Sequence, residues 1–286
     1  MKPMNFLPSA FRLPDGQTVQ TLRWLAEGQN GRVALINDIY IFKYPKFDGA
    51  NQGIPREAEA LRRLQGLLPL DIPRPWEASG LPAGALCYER LEGRLLNSEA
   101  LQGLPPVRRA AVTSQLGGFL RALHGLPCGL LEGLELPPAD TARHWQEFYQ
   151  KVSTLLFPHF RADAIEPVRW SFVRHLNRNT NFNVSPVVLH GDFGPGNLLC
   201  DDEGTVRVLD FGSVRLGDPA ADIASLMGPM GYGEAFVREL APHYPGLEDM
   251  LERARFYAQT FALQEALFGL ENGDREAYED GMRKYI

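Results

Sequence analysis

Val188-Leu189-His190-Gly191-Asp192-Phe193-Gly194-Pro195-Gly196-Asn197-Leu198-Leu199 is the stretch richest in chemistry-bearing side chains. Glycine and proline crowd between two apolar runs of strand character. His190, Asp192 and Asn197 therefore stand in a loop that its flanks hold near the interior. Thirteen residues after Asn197, Leu209-Asp210-Phe211-Gly212 again sets a carboxylate at the end of an apolar strand. Asp201-Asp202-Glu203-Gly204 is a turn signal between the strands predicted at 197–200 and 206–209. The resulting hairpin brings Asn197 close to Asp210.

A carboxylate and an amide oxygen placed together are hard ligands suited to magnesium. Asp192 beside that ion is placed to orient or deprotonate a hydroxyl. The spacing H-x-D-x-x-x-x-N followed by D-F-G is that of the kinase catalytic and metal loops, where phosphoryl transfer needs an in-line nucleophile and a metal on the phosphates. Neither half would be specific alone; their joint occurrence in this order is.

Working outward, the first hundred residues have mostly β character. Strands are predicted at 18–26, 32–36 and 39–44, with Asn37-Asp38 as the tight turn between the last two, and short strands at 76–79 and 85–91. A helix with Pro55 in its first turn runs through Glu57, Leu61, Leu64 and Leu68. Lys43 lies in the otherwise apolar Ile41-Phe42-Lys43-Tyr44-Pro45, the strand from which kinases hold nucleotide phosphates. Only five lysines occur in the chain, which sharpens that placement. Glu57 is the expected ion-pair partner, with Glu59 as the alternative. Gly28 and Gly31 flank the first hairpin turn, where they are placed to cover phosphates. Backbone groups of Glu89 and Leu91, in the connector between the β-rich and helical parts, suit a purine edge. From Leu95 onward the pattern is mostly helical. Val112, Leu116, Phe119, Leu120 and Leu123 share one helical face, helices are predicted at 143–157 and 162–178, and a long helix carries Leu247, Met250, Leu251, Ala254, Tyr257, Ala258 and Phe261 on one side.

The 286 residues are 44% hydrophobic and 22% charged, a composition that excludes disorder as the main state. The formal charge of −6 argues against a nucleic-acid binder. Residues 231–286 hold 11 acids and 6 bases and so carry nearly all of that charge, either as a solvated face or to meet a cationic ligand. No apolar span reaches the ~18 residues of a membrane helix, so no membrane partner is expected. Residues 1–10 lack the apolar core of a secretory signal. Cys87, Cys128 and Cys200 match neither a zinc nor a disulfide framework, which favours a reducing cytoplasm.

With these residues on the page, the chain resembles the aminoglycoside phosphotransferase and choline kinase group of kinase-like enzymes, from Thr18 to the C-terminus. His190-Gly191-Asp192 through Asn197-Leu198-Leu199 is similar to that family's loop, with glycine where protein kinases carry arginine. Gly217-Asp218-Pro219-Ala220-Ala221-Asp222-Ile223-Ala224 resembles the segment whose acids hold the metal loop and helix in place, which makes Asp218 and Asp222 structural. The absence of an Ala-Pro-Glu motif and of an activation-loop-sized segment after Asp210 argues against a protein kinase. Ile41-Phe42-Lys43, Gly231-Tyr232-Gly233-Glu234-Ala235-Phe236 and Phe268-Gly269-Leu270-Glu271-Asn272-Gly273 look most like the 2″-type aminoglycoside kinases. Those enzymes tend to carry acids just before the tyrosine-glycine step; here Met227-Gly228-Pro229-Met230-Gly231 has none.

The resemblance implies an α+β, bilobal, protein-kinase-like fold. Residues 1–90 would form a small N-terminal antiparallel β lobe with one main helix, and 91–286 a larger, mainly helical C-terminal lobe. It implies transfer of the γ-phosphoryl group of ATP or GTP, with Mg2+, to a hydroxyl of an aminoglycoside-like or other cationic amino-alcohol, an activity associated with antibiotic resistance. Asp192 would position the hydroxyl, Asn197 and Asp210 would hold the metal, and Lys43 would hold the phosphates with Glu57 behind it. His190 would buttress the loop. Glu234, Glu265 and Glu271 are the expected amine partners. A kinase of a neutral metabolite alcohol and a non-catalytic nucleotide-binding module are the alternatives. A monomer is expected.

Overall fold

A computed structural model describes residues 13, 16, 18–27, 31–45, 53–76, 84–137 and 140–286. Strands β1 (Leu22–Glu27), β2 (Gly31–Ile36), β3 (Tyr40–Pro45) and β4 (Leu86–Glu89) form an antiparallel sheet in chain order. The β2–β3 turn places Asn37 at φ 49° and Asp38 at φ 59°, the two positive values that a two-residue hairpin of matching twist requires. Asn37 also accepts from the backbone N–H groups of Gln20 and Thr21 and donates to the Thr18 carbonyl. That side chain occupies the backbone of 18–21, so β1 starts at Leu22 rather than at 18. Trp76 lies outside any strand and donates its N–H to the Cys87 carbonyl, while 77–79 lie outside the described residues.

Helix α1 (Gly53–Leu64) has Pro55 in its first turn and buries Ile54, Ala58, Leu61 and Leu64. It stops short of the predicted Leu68, because Gly66 turns the chain left-handed at φ 73°. Leu68 still packs on the same core from the turn beyond.

The C-terminal lobe begins with β5 (Arg94–Leu95), α2 (Ser98–Gln102) and α3 (Pro106–His124). Val112, Leu116, Phe119, Leu120 and Leu123 of α3 are all fully buried, as their helical spacing requires. Helix α4 (Ala142–Lys151) runs into a π turn at Val152–Leu156, and α5 (Ala162–Leu176) follows. Then come β6 (Val187–Leu189), the hairpin β7 (Leu198–Cys200) and β8 (Val206–Val208), and β9 (Arg215–Gly217). β6 pairs with β9, and β5 joins the edge of the β7–β8 hairpin, a pairing invisible in a two-residue strand. Helices α6 (Ala220–Met227), α7 (Glu234–Glu239), α8 (Leu247–Asn272) and α9 (Arg275–Met282) complete the chain, with α8 packed between α6 and α9. Phe119 stacks on Phe193 at 5.3 Å and thereby ties α3 to the loop after β6. Among the described residues no helix is long and apolar enough to cross a membrane.

His175 of α5 lies in an aromatic layer, stacked on Phe256 at 3.6 Å and edge-on to Trp145. Its Nδ1 accepts from Asn181, and Nε2 is buried without a partner. Burial therefore depresses its pKa to about 4 from an ordinary 6.5. A folded-state value below the unfolded one stabilises the fold above pH 6.5, and that contribution disappears as pH falls toward 4. His175→Gln is expected to lose less melting temperature than the parent chain between pH 7 and pH 4.5. Parallel losses in the two proteins would refute the assignment.

Candidate active site

The loop from His190 to Asn197 is held from below by one carboxylate. Asp222, fully buried in the first turn of α6, accepts from the backbone N–H of His190 at 2.9 Å and of Gly191 at 2.8 Å. It also accepts from His124 Nε2 at 3.1 Å, whose Nδ1 in turn accepts from the Tyr244 hydroxyl. Burial alone would push the Asp222 carboxyl up. The hydrogen bond from His124 and the His190 backbone N–H overcome this and hold it below the usual carboxylate range. Asp218 is consumed nearby by Arg253, Tyr257 and the Ala220 N–H. Gly191 sits at φ 84°, and a Cβ there would lie 2.0 Å from the Ser213 carbonyl oxygen. The loop thus passes directly against the Asp210 loop, which leaves room only for glycine.

His190 links the two loops. Its Nδ1 accepts from the Asp192 N–H at 3.2 Å, so Nε2 carries the proton and donates to the Leu209 carbonyl at 2.8 Å. Both ring nitrogens are occupied, which makes the residue a brace. Asp192 is exposed to the cleft. The Asn197 amide donates to its Oδ2 and to its carbonyl, both at 2.9 Å. Those two bonds use both amide hydrogens and leave Asn197 Oδ1 as a bare acceptor. The Leu209 N–H donates to the Asn197 carbonyl at 2.8 Å, which sets Asn197 beside Asp210 as the hairpin reading expects.

Across the cleft, Lys43 Nζ lies 2.7 Å from Glu57 Oε1 and 3.1 Å from Asp210 Oδ1. Glu57 is 2% exposed. Burial would lower the Lys43 pKa, but the Glu57 charge overrides it and holds the ammonium charged. Burial pushes the Glu57 carboxyl up, against the pull of Lys43. Burial also opposes ionisation of Asp210, yet Lys43 holds that carboxyl below its usual range. Glu59, the alternative partner, faces Arg62 and Arg63 instead.

Gly31 opens β2. A Cβ there would stand 2.7 Å from the Tyr44 carbonyl oxygen, so close strand approach accounts for this glycine. Gly28 lies outside the described residues. On β4, the Arg90 N–H bonds the Ile39 carbonyl, and Tyr40 faces Glu89. In an antiparallel ladder this alternation turns the backbone groups of Glu89 away from β3, toward the free edge.

A cleft of about 1270 Å³ opens in front of Asp192 and Asn197. Its lining includes the charged Glu99, Glu265, Asp280, Arg283 and Lys284 and the apolar Leu95, Pro229, Met230 and Phe261. Asp280 is closed by Arg283. Burial and the neighbouring Asp280 charge raise the Glu265 pKa. Glu234 and Glu271 do not line the cleft. Glu234 is held by Arg238 at 2.8 Å and Arg255 at 2.6 Å, and Glu271 by Lys151 at 2.6 Å. Of the three expected amine partners, the fold brings only Glu265 to the cleft. It adds Glu99 and Asp280, which no local sequence signal marks as cavity residues.

The donor chemistry at the catalytic end fits magnesium: the Asp210 carboxylate and the free Asn197 oxygen are hard donors. No group of three or more His, Cys, Asp or Glu side chains among the described residues forms a metal cage.

Kinase-like architecture and this constellation together define a phosphotransferase. The model of the phosphotransferase enzyme family matches residues 21–257, and the chain belongs to that family of nucleotide-dependent enzymes acting on hydroxyl groups. Among curated relatives, viomycin phosphotransferase of Streptomyces vinaceus is 30% identical over 284 residues, 96% of each chain. Among solved structures, a 2″-type aminoglycoside phosphotransferase in complex with GDP and kanamycin superposes with a TM-score of 0.85 at 20% identity, over 94% of this chain and 93% of its own. A type I macrolide 2′-phosphotransferase superposes with a TM-score of 0.71 at 21% identity, over 95% and 93%.

Asp222→Asn leaves one of the donors around that carboxylate facing an amide hydrogen. Breaking such a buried charged network costs about 2–4 kcal/mol. Denaturant unfolding is expected to show that loss, and amides of the 190–197 loop are expected to exchange faster. A variant of parental stability with a protected loop would contradict the anchoring role.

Proposed function

We propose that the chain transfers the γ-phosphoryl group of ATP or GTP to a hydroxyl of a bulky, antibiotic-like small molecule that carries at least one amino group. The observation that carries this reading is a cleft lined by Asp192, Asn197 and Glu265, in which Asn197 is bonded to Asp192 and, through the Leu209 N–H, to the loop where Asp210 meets Lys43. Lys43, locked against Glu57, offers its ammonium to the phosphates. Asp192 orients the acceptor hydroxyl and takes its proton as the oxygen bonds the γ-phosphorus and the bond to the β-phosphate breaks. Asn197 and Asp210 would hold a magnesium ion, which would supply charge neutralisation on the phosphates. Because the transition state is loose, alignment contributes more than strong basicity at Asp192. The outward backbone groups of β4 and the connector at Glu89 and Leu91 suit a purine edge of either nucleotide.

The acceptor wall favours a molecule of mixed character. Among the described residues, Glu265 and Glu99 have no ion-pair partner and suit ammonium or guanidinium groups. Met230, 87% exposed, stands with Leu95 and Pro229 at the mouth and suits an apolar flank. The name of the viomycin phosphotransferase relative places viomycin first among acceptors to try.

Asp210→Ala is expected to abolish turnover with either nucleotide while the far-ultraviolet circular dichroism stays unchanged; retained turnover would sink the phosphotransferase reading. Glu265→Gln is expected to raise KM for an amine-bearing acceptor about tenfold, the worth of one charged contact, with KM for the nucleotide unaltered. The direct measurement is ADP or GDP release over viomycin, kanamycin, a macrolide and neutral alcohols. Turnover on neutral alcohols alone would overturn the amine assignment.

A further inference from the structure

Asp210 is held at φ 57° and ψ 78°, a left-handed conformation uncommon for a residue with a Cβ. Such a residue costs on the order of 1–2 kcal/mol and persists only where its surroundings overdetermine it. The grips on this loop are identifiable. His190 holds the Leu209 carbonyl, Lys43 holds the Asp210 carboxylate, and Glu57 accepts from the Phe211 backbone. The Asp210 carboxylate also accepts from the Gly212 N–H at 3.2 Å, and a further grip, from outside the loop, is Arg56, which precedes Glu57 on α1. Its Nη2 donates to the Gly212 carbonyl at 2.6 Å and its Nη1 to the Glu135 carbonyl at 3.1 Å.

This arrangement is costly for the arginine. Its Nε is buried without a partner, and burial lowers its pKa although Glu57 works the other way. Two neutral carbonyls compensate a half-buried guanidinium less well than a carboxylate would. What the planar fork achieves is to reach two separate segments at once, which a lysine ammonium does not match. The same helix carries an internal contrast. Arg63 donates to the Leu130 carbonyl at 3.0 Å and the Glu132 carbonyl at 2.7 Å, and so docks α1 on the C-terminal lobe without touching the Asp210 loop.

We propose that Arg56 is a positioning residue for the metal loop: it holds the Gly212 carbonyl and so keeps Asp210 in its strained, ligand-presenting conformation, while Arg63 only docks the helix. Assignment of the loop to metal binding rests on the phosphotransferase reading; the clamp itself does not. The test compares Arg56→Ala, Arg56→Lys and Arg63→Ala in the full chain. Without nucleotide, amides of 211–214 are expected to exchange about tenfold faster in Arg56→Ala, at an intermediate rate in Arg56→Lys, and at the parental rate in Arg63→Ala. In the ADP complex, Mn2+ affinity measured by electron paramagnetic resonance is expected to fall about tenfold in Arg56→Ala and to stay unchanged in Arg63→Ala. Unchanged exchange in Arg56→Ala, or equal acceleration in Arg63→Ala, overturns the clamp. Faster exchange with unaltered Mn2+ affinity overturns its role toward the metal. Should Arg56→Ala fail to fold, the comparison of Arg56→Lys with Arg63→Ala decides by the same signs. Failure of the phosphotransferase reading shows separately, as absence of turnover in the parent chain.

Discussion

A single buried carboxylate organises this protein. Asp222 takes the backbone N–H groups of His190 and Gly191 and the ring of His124. Donors left unpaired at that depth would each cost 1–3 kcal/mol or so, which makes the position of the catalytic loop a consequence of where α6 lies. Helix α6 is in turn packed against the long α8, and α3 meets the loop from the other side through Phe119 and Phe193. The geometry at Asp192 is thus set by the helical core of the C-terminal lobe.

A second network crosses between the lobes and works by strain. Lys43, Glu57 and Arg56 all reach the Asp210 loop from the sheet and α1. Asp210 stands in a conformation that its own backbone disfavours, so the polar grips around it are functional as well as cohesive. These contacts hold the carboxylate in its half-exposed orientation, and the Leu209–Asn197 backbone bond ties the loop to Asn197. In the proposed reaction, the pairing of Lys43 with both carboxylates would tie phosphate handling and metal presentation to the same few atoms.

Much of this was legible in the residues alone. The catalytic loop, the Asp210 loop and the lysine on β3 are local patterns, and the order of strands and helices follows from period and turn chemistry. The boundaries were less legible. Thr18–Thr21 has strand-like composition, but the Asn37 side chain occupies its backbone. Glu57 and Glu59 sit two positions apart on one helix, and only the fold decides which of them faces Lys43. Glu234 has a local partner in Arg238, four residues on, but its second partner Arg255 is 21 residues away, and Lys151 lies 120 residues from Glu271.

What the sequence determined by itself is the placement of the proposed reacting set and its order: Asp192, Asn197 and Asp210 on two adjoining loops, with Lys43 on a strand before them. These follow from short-range rules, in which spacing decides which atoms meet across a tight turn or hairpin. Tertiary structure alone decided which acids face the cleft, which are consumed by arginines, and that Gly191 must be bare because Ser213 presses against it. It also decided that Met230 and Glu265 line the same cleft. Such outcomes depend on where distant elements pack. Burial and pairing are properties of that packing, and a local pattern of residues does not carry them.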